Sequence, residues 1–279
     1  MNVENKLNQW FRFETERYRR NRIPEIVFAM KQHMLSCQQL REVVSVRYEV
    51  AHYFILMLSH MLHVIETGTY REGSCKVSKV VKDALHFAVT ENLKEENGDV
   101  PAYGGPHYKG RALLLSALGF NYENWSARLG TYGNLIRVDP SARYLVAEMK
   151  KTIELGAVEA VSALWYYEMR ITLDYPILLS ALEKKFPELL KDDGTYREGD
   201  ALWHLASHAR HDEHHAKLAE DALALLSGTP GMWGDSMEHG ARRTLFAVDN
   251  FWNLLSEAFL GRFNAKNHWD TEVRATVRV

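Results

Sequence analysis

Residues 208–215 read HARHDEHH, four histidines and two acids in eight positions. Imidazole and carboxylate without thiolate is the donor set of iron, manganese or zinc centres. On a helix advancing about 100° per residue, Asp212 falls about 40° round from His208 and His215 about 20° back, so the three share one face. His204 joins this stripe one turn earlier, His211 lies at its margin, and Glu213 and His214 point away. The flanking ALWHLASHA and AKLAEDALALL make the helix core-facing. An ionised carboxylate buried there costs several kcal/mol unless it is paired or metal-bound. A metal site is therefore favoured over a hydrogen-bonded structural cluster. One helix supplies at most three of its ligands, and the others must come from elsewhere.

The best second source is ENLKEENGDVPAYGGPHYKGRALLLSALGF, residues 91–120. Two adjacent acids, Glu95 and Glu96, end a helix, a glycine-containing turn follows, and His107 opens the next helix. Acids at a helix C-terminus oppose the helix dipole, which invites a compensating cation, although a solvated or capping pair is an equally good reading of the acids alone.

Taken together, EENG…H and the later HxxxDxxH resemble the heme-oxygenase-like diiron oxidases and oxygenases, over roughly residues 80–225. The resemblance implies an all-α, single-domain heme-oxygenase-like bundle of the TenA/PqqC type. It also implies two iron ions, cycling between Fe(II) and Fe(III), with O2 as co-substrate. The ligands it implies are Glu96, His107, Glu168, His208, Asp212 and His215. Glu168 is the acid in the strongly apolar stretch ALWYYEMRITLDY, with Glu159 as its rival and Asp174 behind both. The implied substrate is a small amino-acid-like metabolite undergoing N-oxygenation, desaturation or oxidative C–C cleavage, of the kind found in natural-product biosynthesis. An external electron donor and a homodimer belong to the same expectation. Tyr166, Tyr167, Trp165 and Trp203 flank the proposed ligands and are candidates for a substrate pocket or for plain core.

Two alternatives stay open. A ferritin-like site would use Glu49 and His52 of EVAH, Asp212 and His215 of DEHH, Glu168 and a glutamate from the first helices, leaving His107, His208 and the EENG turn unused. A non-catalytic helical scaffold would keep the histidines as a structural cluster.

These residues need helices to hold them. Helical periodicity predicts helices over 4–20, 24–37, 39–66, 76–96, 107–118, 140–156, 157–187, 200–227 and 239–262, and no stretch alternates like a strand. Pro176 is expected to kink its helix. With 46% hydrophobic residues and no Ser/Pro-rich linker, residues 1–265 read as one helical domain and 266–279 as an irregular tail. RYRRNR at 17–22 reads as a solvated helix end. A formal net charge of -2 argues against a nucleic-acid binder. VAHYFILMLSHMLHVIE is interrupted by histidines and too short to span a membrane. Two cysteines without a CxxC, and no signal-peptide pattern, point to the cytoplasm. No nucleotide-binding glycine loop and no GxSxG occurs.

Overall fold

The computed structural model describes residues 3–68, 78–99, 105–191, 194–228 and 233–261. The tail at 266–279 and the side chain of Asp212 lie outside the described residues. Within them the chain forms α1 (Val3–Arg19), α2 (Glu25–Lys31), α3 (Cys37–Thr67), α4 (Lys79–Asn97) and α5 (His107–Ala117). It continues with α6 (Tyr122–Ala127), α7 (Pro140–Ile153), α8 (Ala157–Lys185), α9 (Trp203–Ala224) and α10 (Trp233–Leu260). No strand occurs among the described residues.

Local chemistry sets the helix ends that matter for the site. α3 opens on a capping box in which Ser36 Oγ accepts from Gln39 N while Gln39 Oε1 accepts from Ser36 N. Left-handed Gly68 closes it. Ser78 caps α4 by accepting from Val81 N, and Asp139 caps α7 ahead of Pro140 at its first turn.

Every residue of α8 from Ala157 to Ile171 is buried. A helix buried on all sides must be wrapped, and α2, α3, α4, α7, α9 and α10 all pack against this one. The histidine helix α9 also packs on α4 and α5, so residues of α4, α5, α8 and α9 can meet in the interior.

Some expectations change. α2 stops at Lys31 rather than residue 37, because His33 takes a left-handed conformation at φ 54. α6 was not anticipated, and α10 starts at Trp233 rather than residue 239. α8 remains helical through Pro176. In RYRRNR, Arg19 and Arg20 pair with Glu16 in solvent as expected. Arg17 instead is buried, bonded to Glu14 at 2.8 and 2.9 Å and to Asp249 at 3.1 Å. That face of α1 meets a charge on α10, which a one-helix reading cannot supply. No described helix is long and apolar enough to cross a membrane.

Candidate metal centre

Two glycines bring the segments together. Gly98 ends α4 in a left-handed turn (φ +76), and a Cβ there would stand 2.4 Å from Pro106 N. The chain can therefore fold back so that His107, the first residue of α5, meets the last turn of α4. One turn along α5, a Cβ on Gly110 would stand 2.6 Å from His204 Cβ and 3.0 Å from the Trp203 ring. Only glycine lets α5 lie this close to α9. We expect Gly110→Ala to push α5 outward, to cost about 1–3 kcal/mol in urea denaturation, and to weaken metal uptake in the same protein. Unchanged stability and uptake would mean that the close approach is incidental.

Three imidazoles from two helices form the centre. The His107 ring lies 4.5 Å from that of His208 and 5.2 Å from that of His204, and His204 and His208 are also 4.5 Å apart. One ligand atom from each can be chosen so that all lie within 4.8 Å of one another. Trp203 packs edge-on against His107, and Tyr175 against His208, so aromatic walls shield the group. The cluster is 7% exposed or less at every one of these histidines.

Carboxylates come from α4. Glu95 bonds His215 Nε2 through Oε2, and its Oε1 stands 3.7 Å from His107 Nε2. Glu96 places Oε1 3.2 Å from His107 Nδ1, and its Oε2 accepts from Arg111 at 3.1 Å. Neither approach to His107 is aligned as a hydrogen bond, so both of its buried ring nitrogens lack one. A buried polar atom without a partner is costly, and two on one imidazole, facing carboxylates, fit a cation held between them. Burial alone would raise both acids. The hydrogen bond and charge of His215 outweigh it at Glu95, and the charge of His107 and of Arg111 at Glu96, so both sit below the ordinary carboxylate range. Burial, reinforced by His208 and His107, drives His204 well below the usual imidazole value, leaving it neutral and able to donate a lone pair.

On α8, Glu168 is buried and stands seven residues before Tyr175, about 20° away round the helix, on the face that touches His204 and His208. It also acts with Glu96 on the Tyr167 phenol, which burial pushes up to about 12 with both carboxylates adding to the rise. Glu159 is about 180° round from Glu168. Its backbone lies under Gly240 of α10. Asp174 accepts from Trp252 Nε1 at 3.0 Å and pairs with Tyr18 and Arg170. Of the three candidate acids on α8, Glu168 alone shares the face of Tyr175, which touches His204 and His208. Asp212 sits on α9 between His208 and His215, its side chain outside the described residues.

The aromatic candidates divide. Trp203 walls His107, and Tyr167 lies beside Phe54 and under Arg47. Tyr166 lies about 160° round α8 from Glu168, against Trp10 and Arg170, and does not line the histidine cluster. The ferritin-like alternative loses its first pair: the Glu49 oxygens are taken by Arg128 and by Asp139 N at 2.6 Å, and His52 packs on Tyr53 and Trp125.

Sequence reasoning named Glu95 without a role, and missed Tyr48, Arg47 and Arg111. Tyr48 Oη lies 3.1 Å from His204 Nδ1. Arg47 lies 5.3 Å over Tyr167 and 5.1 Å over Tyr175, and its Nη1 is buried without a hydrogen-bond partner among the described residues. All three missed residues sit on α3 or α5, and only the tertiary packing reveals them.

No protein-family model and no curated protein matches this chain. Solved structures do. A CADD-like protein of unknown function from Nostoc punctiforme is 13% identical, with 84% of this chain and 87% of that one covered at TM-score 0.59. A TenA homolog from Pseudomonas syringae pv. tomato is 16% identical, with 85% of each chain covered at TM-score 0.60. At such identities the likeness establishes the fold alone: an all-α bundle of the heme-oxygenase-like type.

Proposed function

We propose that the protein is a non-heme diiron oxidase or oxygenase acting on a small amino-acid-like metabolite. The observation that carries this reading is the buried convergence of Glu95, Glu96, His107, His208 and His215 from α4, α5 and α9, with both nitrogens of His107 lacking a hydrogen bond. Glu168 and Asp212 complete a set of imidazoles and carboxylates suited to iron. Two irons held there supply two-electron chemistry with O2, directed at a C–H or N–H bond.

The chain's own residues do the rest. Glu95 is the better placed of the two α4 acids to bind a cation, because its oxygens meet only imidazoles, whereas Glu96 is already shared with Arg111. Trp203, Tyr175 and Tyr167 exclude water from the centre, which strengthens every charge interaction inside it. Arg47 gives the substrate preference. It is a buried guanidinium with no carboxylate ion-paired to it among the described residues. Its guanidinium lies over the Tyr175 ring, which also packs against His208. A substrate carboxylate at Nη1 would satisfy it and orient the rest of the molecule by a charge-assisted bond. An external electron donor follows for any outcome that consumes more electrons than the substrate releases.

The test is oxygen consumption by the iron-loaded protein with amino acids, with the matching amines that lack the carboxylate, and with fatty acids. We expect consumption with amino acids and not with the amines. In Arg47→Met, KM should rise about 10–100-fold with kcat largely kept, since one charged hydrogen bond is worth about 1.5–3 kcal/mol. No consumption with any of the three classes overturns the reading. Equal rates with the amines overturn the role of Arg47.

A further inference from the structure

We propose that His204 is itself a metal ligand, binding through Nε2 beside His107 and His208, with Tyr48 holding its ring in place. The proposal rests on the two-iron reading and adds a donor that the six-ligand set does not contain. Three observations carry it. His204 is 1% exposed, and its Nε2 is buried without a hydrogen-bond partner. Its other nitrogen, Nδ1, lies 3.1 Å from Tyr48 Oη. Its ring is in edge contact with both His107 and His208, within one ligand-atom cluster.

A core histidine kept for packing would be expected to use both nitrogens, or to turn the unused one toward solvent. His204 does neither. The Tyr48 contact has the form commonly found behind a metal-bound imidazole. The nitrogen away from the metal meets an oxygen that fixes the ring's tautomer and orientation. With Nδ1–H donating to Tyr48 Oη, the lone pair stays on Nε2, the buried nitrogen that has no hydrogen-bond partner. Gly110 adds to this, since the absence of its side chain lets His107 approach His204 at all.

The consequence is an asymmetric pair of metal positions. One is rich in imidazole (His107, His204 and His208), while Glu95 is bonded to His215 and also faces His107. Neutral donors favour the divalent ion and carboxylates favour the trivalent one, so the two positions should differ in affinity and in ease of oxidation.

The experiment loads the full-length protein anaerobically with Co(II). It measures metal per chain, affinity and the number of coordinated imidazoles by X-ray absorption, for the native chain, His204→Ala and Tyr48→Phe. We expect His204→Ala to lose one imidazole per chain and to bind one of its metals at least about 100-fold more weakly. Added free imidazole should restore both properties by filling the space the side chain vacates. Tyr48→Phe should keep the imidazole count and weaken the same metal about 10-fold, as removal of an orienting partner does. If His204→Ala and Tyr48→Phe match the native chain in all three readouts, His204 is a packing residue and the inference fails, while the two-iron reading stands. If the native chain takes up no metal, the underlying reading fails first. Loss of metal in His204→Ala without rescue by imidazole, in a protein whose helical circular dichroism is unchanged, also counts against direct ligation.

Discussion

Glu95→Ala is expected to lower iron affinity by about 100-fold or more, about 2.7 kcal/mol, exceeding the typical effect of residues that only orient a ligand. The iron content of the purified protein should fall below that of the native chain, and ferrous iron added to the variant should oxidise no faster than in buffer. The reason is positional. Glu95 bonds His215 and approaches His107, and so joins α4, α5 and α9 at one point. Its removal takes from His215 its hydrogen-bonded carboxylate and from His107 one of the two it faces, without freeing any cation to compensate. Glu49→Ala is the matched control: equally buried, on a helix that also reaches the centre, but with its oxygens given to Arg128 and Asp139 N. It should cost about 1–3 kcal/mol of stability and leave iron binding intact. Iron binding that survives in Glu95→Ala and fails in Glu49→Ala would reverse the assignment and restore the ferritin-like arrangement.

The second large effect lies away from the histidine cluster. Arg170 on α8 is 1% exposed and donates to Glu14 at 3.2 Å, to Asp249 at 2.9 Å and to Tyr18 Oη at 2.7 Å. With Arg17 it balances the acids of α1, α8 and α10 inside the protein. Arg170→Ala should cost about 3–5 kcal/mol in urea denaturation, because it leaves Glu14, Asp174 and Asp249 short of a counter-charge in the interior. Pairing the substitution with Asp249→Asn should return part of that loss. The two single effects should then fail to add, as expected for residues in contact. Additive losses would show that the network is a set of independent pairs.

How much of this was readable in the chain depends on what each residue needed. His208 and His215 follow from the period of one helix, and the stripe containing His204 follows in the same way. His107 and the α4 acids follow from a turn and a helix start. Which acid faces inward does not. Glu95 and Glu96 are about 100° apart, and His107 sits so that both reach it. Glu168 could not be separated from Glu159 by pattern either. A helix buried on every side carries no polar face to set its phase, and only the side taken by α9 decides. Tyr48, Arg47 and Arg111 carry no local signal, since their roles come from α3 and α5 packing across the histidines. Arg17 was misread for the same reason, its partner Asp249 being 232 residues away. The helices themselves were legible because their apolar periods are long. The exceptions are the six-residue α6 and the early end of α2, where one left-handed residue decides the boundary.

The most direct measurement is Mössbauer spectroscopy of the full-length protein loaded anaerobically with isotopically enriched Fe(II), recorded before and after exposure to O2. Glu95, His107, Glu168, His208, Asp212 and His215 acting together require two high-spin ferrous ions per chain. After O2 these should become two ferric ions whose spins are coupled to a diamagnetic ground state. A single iron per chain at saturation, or two ferric ions with no magnetic coupling, would contradict a shared two-iron centre.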